Sequence, residues 1–366
     1  MSLRRWLLVV GCALAIAAAV GCGAVKADSK AVSPCGTASL PTWSPDGTQI
    51  AWYGKRWPLP NLHHASGSIK LLRAICASDA DGKNVHPLPH TTCSERCSNQ
   101  LSEPPDQLSW VAAGMLYGSD DGIGTIPTGQ APKLLGRTPP APFSSDTKGD
   151  RVGVGVVSGC TNTGCAGPVR ILDVPSGAVV GKVGGSKFVN TEPSLSPDGT
   201  QVVFARFPAS DSARDLGIWT ASADGSHLRR LAPSGGDPLW SPAGNRIAYI
   251  NPTNAEPVAL RLAPAGGGAS TTLLRNGVGA LIGWSPDGRH LAFADSKGNL
   301  AVVDVATKKV RKLLKLGLPY GASSVAWSPD SQQLLLVWKA PAHSGCPSGL
   351  WSVPISGAKP HLVHGC

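Results

Sequence analysis

The chain lacks the short signatures on which most hydrolases and nucleotide-binding enzymes depend. No serine has glycines two residues away on both sides, so the strained turn that presents a hydrolase nucleophile is missing. There is no H-E-x-x-H to hold zinc and no G-x-x-x-x-G-K-[ST] to cradle a phosphate. No C-x-x-C occurs, and the cysteine spacings match no zinc site. Beyond the first two dozen residues no apolar run is long enough to cross a bilayer. Catalysis would have to be assembled from loop residues such as His63, His64, Glu95, Asp211 and Asp215, and no spacing selects them. The expectation is a protein with no catalytic residues, no cofactor, no metal and no nucleic-acid partner.

What is present begins with an export signal. Arg4 and Arg5 precede the apolar stretch "WLLVVGCALAIAAAVG", and Cys22 follows directly. This resembles a bacterial lipobox, with residues 1–21 removed as signal peptide, Cys22 diacylated, and residues 22–37 acting as a tether. Ala19 stands where Leu is more usual, and cleavage after Ala27 to give a soluble exported protein is the alternative.

Export accounts for the cysteines. Besides Cys12 and Cys22 there are eight: Cys35, Cys76, Cys93, Cys97, Cys160, Cys165, Cys346 and Cys366, an even set that predicts disulfides in an oxidising compartment. Cys93 with Cys97, and Cys160 with Cys165, are close enough to staple single loops. The other four leave three pairings open, among them a Cys35–Cys366 link joining the two ends.

A repeat organises the rest. "PTWSPDGTQIAWYG" at Pro41 returns as "PSLSPDGTQVVFAR", "PLWSPAGNRIAYI", "IGWSPDGRHLAFAD" and "VAWSPDSQQLLLVW", and its last four turn serines are Ser196, Ser241, Ser285 and Ser328. That spacing, about 45 residues, fits a four-stranded propeller blade. In the turn, Pro45 presets its backbone angle, Asp46 bonds nearby backbone and Gly47 accepts positive φ, which specifies a tight hairpin. A second hairpin follows each copy, as in "GIWTASADGSHLRRLA". Two worn copies, near Trp110 and Phe143, complete a count marked by Trp43, Trp110, Phe143, Leu195, Trp240, Trp284 and Trp327. The prediction is an all-β fold, one propeller domain over 38–366 with seven antiparallel four-stranded blades; six would require discarding a worn copy.

The repeat W-S-P-D-G-x-x-[IVL]-A-[FWY], followed by an outer strand pair, resembles the WD-like propeller repeat of TolB, which is also that of the propeller in prolyl-oligopeptidase-type enzymes. The resemblance covers residues 38–366 and implies a scaffold, because functions diverge among its bearers. In the prolyl-oligopeptidase type the serine sits in a separate α/β domain, and nothing in these repeats matches it.

The repeated tryptophans are assigned to packing between blades. The acidic "SDADGKN", Ser78–Asn84, reads as a turn and not as a calcium loop. The alternation of the four strands places the Ser-Pro-Asp-Gly turns on one face and the long connections on the other, including five of the eight unassigned cysteines. Rigid, variable loops on one face of a fixed scaffold are where binding usually sits. The interaction face is therefore assigned to Arg56, Trp57, His63, His64, His86, His90, Arg96, Arg214 and His343.

Net charge is +10, with 33 Lys and Arg against 23 Asp and Glu. Such a surface serves solubility or attracts anionic envelope polymers and lipid headgroups, and Lys in the run "KKVRKLLK", Lys308–Lys315, protects an exposed strand edge. The functional expectation is a monomeric, lipid-anchored propeller that binds an envelope protein through its looped face. The alternative is a propeller that binds, or hydrolyses, a small ligand or glycan in its central channel.

Overall fold

The computed structural model describes residues 35–56, 72–89, 91–92, 107–119, 122–128, 130–136, 143–146, 148–155, 158–161, 164–208, 217–251, 258–316, 325–338 and 349–365. The N-terminal unit ending at Ser33, with the signal segment and Cys22, lies outside them. Every regular element described is a strand, and among these residues no helix is long and apolar enough to cross a membrane.

Seven four-stranded antiparallel sheets follow one another along the chain. In blade 1 the strands are Thr37–Trp43, Gln49–Arg56, Leu72–Asp79 and His86–Pro87, innermost to outermost. Blade 2 comprises Gln107–Val111, Gly114–Ser119, Gly122–Pro127 and Lys133–Gly136; blade 3, Phe143–Ser145, Arg151–Val154, Val169–Asp173 and Val179–Val183. Blade 3 also carries a two-stranded ribbon, Ser158–Thr161 with Gly164–Ala166, between its second and third strands. Blades 4 to 7 run from Phe188 to Ala232, Gly236 to Leu274, Val278 to Lys315 and Val325 to His364.

The second strand of each blade reads as a nearly continuous apolar run because both of its faces are buried. In Gln49–Arg56 the alternation of side chains sends Ile50 and Trp52 into the cluster shared with blade 7, and Ala51 and Tyr53 into the cluster shared with blade 2. Val203 and Ala205 likewise meet blade 5, while Val202 and Phe204 meet blade 3. Seven such clusters fill the seven seams.

The Ser-Pro-Asp turn is built the same way in four of the five clear copies; in blade 5, where Ala243 replaces the Asp, Ser241 Oγ donates to Asn245 Oδ1 instead. Ser44 is buried; its Oγ donates to Asp46 Oδ1 at 2.6 Å and accepts the Gln49 N–H at 2.9 Å. Ser196, Ser285 and Ser328 repeat both bonds. Gly47 has φ 73°, and a Cβ added there would lie 3.6 Å from Pro329 of blade 7, so successive turns nest around one face.

One expectation needs correction. Strand pairing sets Ser145 opposite Val152, as Trp43 stands opposite Ile50 and Leu195 opposite Val202. Ser145, not Phe143, therefore occupies the tryptophan position of blade 3, and Asp146 takes the place of the turn serine, its Oδ1 accepting from Gly149 N and Asp150 N. The seven-blade count is unaffected.

The structure selects among the cysteine pairings that the sequence leaves open. Cys35 is bonded to Cys76, with Cα atoms 5.8 Å apart, so it cannot be linked to Cys366. The disulfide ties the segment entering blade 1 to that blade's third strand, and both cysteines are buried beside Trp43, Trp52, Leu350 and Val363. Among the described residues no strand is exchanged between the ends: all four strands of blade 7 come from the C-terminal segment. The seam closes by packing, by a hydrogen bond between His364 Nε2 and Cys35 O at 2.7 Å, by His364 lying 4.7 Å from the Trp52 ring, and by close approach of Gly82 to Val363 O.

Candidate functional site

The two faces of the ring differ in kind. On the turn face the Ser-Pro-Asp-Gly hairpins and the turns between third and fourth strands are short and internally bonded. In Ser78–Asn84, Asp79 accepts from the Asn84 amide, and Asp81 accepts from Lys83 N and pairs with its ammonium at 2.8 Å. The acids of this loop are thus occupied by the turn itself, and among the described residues no group of His, Cys, Asp and Glu is arranged to hold a metal.

The opposite face receives the links between second and third strands and between blades. In blade 6 this link is the tight Asp295–Asn299 turn. Burial of the Asp295 carboxyl works against ionisation. The Asn299 side chain, the N–H groups of Asn299 and Lys297, and the Lys312 ammonium outweigh it and bring the pKa down to about 2. The blade 2 link (120–121) and the links from blade 4 to 5 (233–235) and from 5 to 6 (275–277) are also short, whereas 57–71, 88–106, 209–216 and 339–348 are long. Trp57, His63, His64, His90, Arg96, Arg214 and His343 all lie in the long ones, outside the described residues, as do Cys93, Cys97 and Cys346; Cys366, after the last strand of blade 7, is also outside them. Arg56 ends the second strand of blade 1 at this face. Cys160 and Cys165 lie on facing strands of the blade 3 ribbon. His86 is placed apart from the others: it opens the outermost strand of blade 1, next to the turn, where its Nδ1 donates to Asn84 O at 2.8 Å.

The innermost strands surround the axis, and three of them carry a left-handed residue before a proline: Leu40 (φ 52°), Glu192 (φ 53°) and Asp237 (φ 48°), each three residues before the tryptophan position. Glu192 Oε2 accepts Asp237 N–H of the next blade at 2.7 Å. The Asp237 carboxylate in turn accepts the N–H of Leu281 in blade 6. Gln107 does the same from blade 2 to blade 3, bonding both N and O of Phe143.

Burial raises the Glu192 carboxyl, the nearby Asp237 carboxyl adds to the rise, and the accepted N–H offsets only part of it. Burial also raises Asp237, against the Leu281 N–H. These two acids stitch blades 4, 5 and 6 together around the axis. The other half-buried residues of the described innermost strands are mixed, apolar at Leu239, Leu281, Ile282 and Val325 and polar at Ser39, Ser109, Ser144 and Thr191.

Sequence reasoning missed this stitching. Its only signal is the proline two residues before the tryptophan position in "LPTW", "EPSL" and "DPLW". It also missed Arg206, buried between Phe188 and Trp219, whose Nε donates to Asn190 Oδ1 and whose guanidinium reaches Gly184 O at the entry to blade 4.

No family model matches the chain. An uncharacterised protein of Agrobacterium fabrum is 26% identical over 272 residues, covering 69% of this chain and 83% of that protein. Among solved structures, oligogalacturonate lyase from Vibrio parahaemolyticus superposes with a TM-score of 0.59 at 11% identity, over 87% of this chain and 89% of the lyase. TolB from Acinetobacter baumannii gives a TM-score of 0.47 at 15% identity, over 85% and 78% of the two chains. The lyase likeness is one of fold. A buried disulfide is the mark of an oxidising compartment outside the cytoplasm, and the chain is a seven-bladed, all-β propeller.

Proposed function

We propose that the protein is a non-catalytic propeller of the cell envelope, anchored through Cys22, that binds another envelope protein through its looped face. One observation carries this reading: the turn face is filled by short, self-bonded turns, whereas most of the long connections leave the ring on the other side. A rigid ring presenting irregular loops on one side is suited to a protein partner, and the Cys35–Cys76 bond adds rigidity where the anchor segment enters. The two carboxyls of the described innermost strands support the same reading, since both are used to join blades.

The test is recovery of partners from the protein's own envelope extract, at low and moderate salt, with the wild type and with a variant in which residues 57–71 and 339–348 are replaced by short turns. Retention of the same one or two proteins at both salts, lost in the shortened variant, is the expected result. Undiminished retention by the shortened variant would contradict it.

A further inference from the structure

We propose that the outer rim of blade 6 and its neighbours binds an extracytoplasmic linear polyanion, a polymer with one phosphate or carboxylate per repeat unit. This surface follows the outermost strands at the edge of the ring, and the inference goes beyond the protein-binding reading.

Five cations, Lys308, Lys309, Arg311, Lys312 and Lys315, lie on or beside the outermost strand Val310–Lys315, and all are exposed. Two acids on this blade lie near them, and both are engaged. Asp304 accepts from Thr307 N and Oγ1, and Asp295 is held by Asn299 and by Lys312 at 3.2 Å. Lys312 is paired with Asp295, and the strip keeps a net positive charge because the other four cations have no carboxylate partner among the described residues; Lys308 Nζ donates to Thr272 O and the Arg311 guanidinium to Ile355 O.

Protection of the strand edge does not require so many charges. The outermost strand of blade 3, Val179–Val183, has a single lysine, and that of blade 5, Thr271–Leu274, has none. Blade 6 has the most, three in six residues, and blade 4 follows with Arg229 and Arg230 in Arg229–Ala232; exposed cations also stand at Arg275 after blade 5 and Lys359 before the last strand of blade 7.

The shape favours a flexible chain over a bilayer. Consecutive blades of a seven-fold ring turn by roughly 50°, so a flat surface meets one of these strands while a polymer can follow several. Membrane-surface binding also needs an apolar component beside the cations. On this strand Val310 is the exposed aliphatic residue, while Leu313 and Leu314 pack inward; Leu362 is exposed on the outermost strand of blade 7. The strand carries no aromatic ring on which a nucleic-acid base could stack.

The test is binding of long-chain inorganic polyphosphate and of alginate by the full exported domain, in three forms: wild type, Lys309→Glu/Lys315→Glu, and Lys148→Glu, which alters charge on the turn of blade 3. Each form is first checked for native circular dichroism. The expected result is binding of at least one polymer that weakens steeply with salt and falls about tenfold in the double variant, with Lys148→Glu near wild type. Which polymer binds identifies phosphate or carboxylate as the source. Binding of neither polymer, equal losses in both variants, or binding only to phosphatidylglycerol vesicles would overturn the proposal.

Discussion

At the scale of single residues, ionisable groups make opposite demands on the ring. Glu192 and Asp237 have raised pKa values, so whatever stability they contribute is fully present below the ordinary carboxyl range and is lost as pH rises through their folded-state values. At neutral pH their ionisation opposes folding. Glu192→Gln and Asp237→Asn, which keep an acceptor for the next blade's N–H, are expected to raise Tm at pH 7, with the gain vanishing near pH 4. Melting curves across that range check it, and a loss of Tm at pH 7 would contradict it. Asp295 is the reverse case. Its pKa of about 2 means stability that is present above the ordinary value and lost as pH falls towards 2. Asp295→Asn should cost about 1–2 kcal/mol at pH 7, a figure already reduced for solvent screening, and denaturant titrations should show the cost shrinking on acidification. The role of Asp295 was not legible in the sequence, because an Asp before "SKGN" looks like any turn acid until its donors are in place.

At the scale of the element, the hairpin turn was legible because its chemistry is local. Ser-Pro-Asp-Gly specifies its own hydrogen bonds, and the structure repeats them in four blades. Ser196→Ala leaves the Gln201 N–H without its side-chain acceptor and Asp198 without its Ser196 donor; chemical denaturation should show a loss of about 1–3 kcal/mol. The worn copy in blade 3 was misread by two residues because its pattern is carried by pairing with Val152, which the sequence does not display. Disulfide pairing was illegible for a related reason: the seam between first and last blades decides it. Removing the Cys35–Cys76 bond with Cys35→Ser/Cys76→Ser should cost about 4 kcal/mol in the chain-entropy model, given the 41-residue separation. The effect should appear first as faster hydrogen exchange at the seam, around Gly82 and Val363.

At the scale of the whole molecule, the repeat period determined the ring, since four-stranded units of this length bury both faces only by stacking on neighbours. Trp43, Trp240 and Trp284 are buried at the seams as the sequence predicts, whereas Trp110 and Trp327 remain partly exposed. Which wall of the ring carries chemistry was not legible, because Glu192 and Asp237 become neighbours only when blades 4 and 5 dock. The division of labour between a closed turn face and an elaborated loop face leads to the function proposed. It is tested most directly by photocrosslinking in the native envelope, with a photoreactive residue placed at Trp57, His63 or His343 on the looped face and at Thr48, Lys148 or Gln332 on the turn face. Protein adducts formed only from the looped-face positions are the expected result. Adducts confined to the turn face, or none from any position, would contradict it.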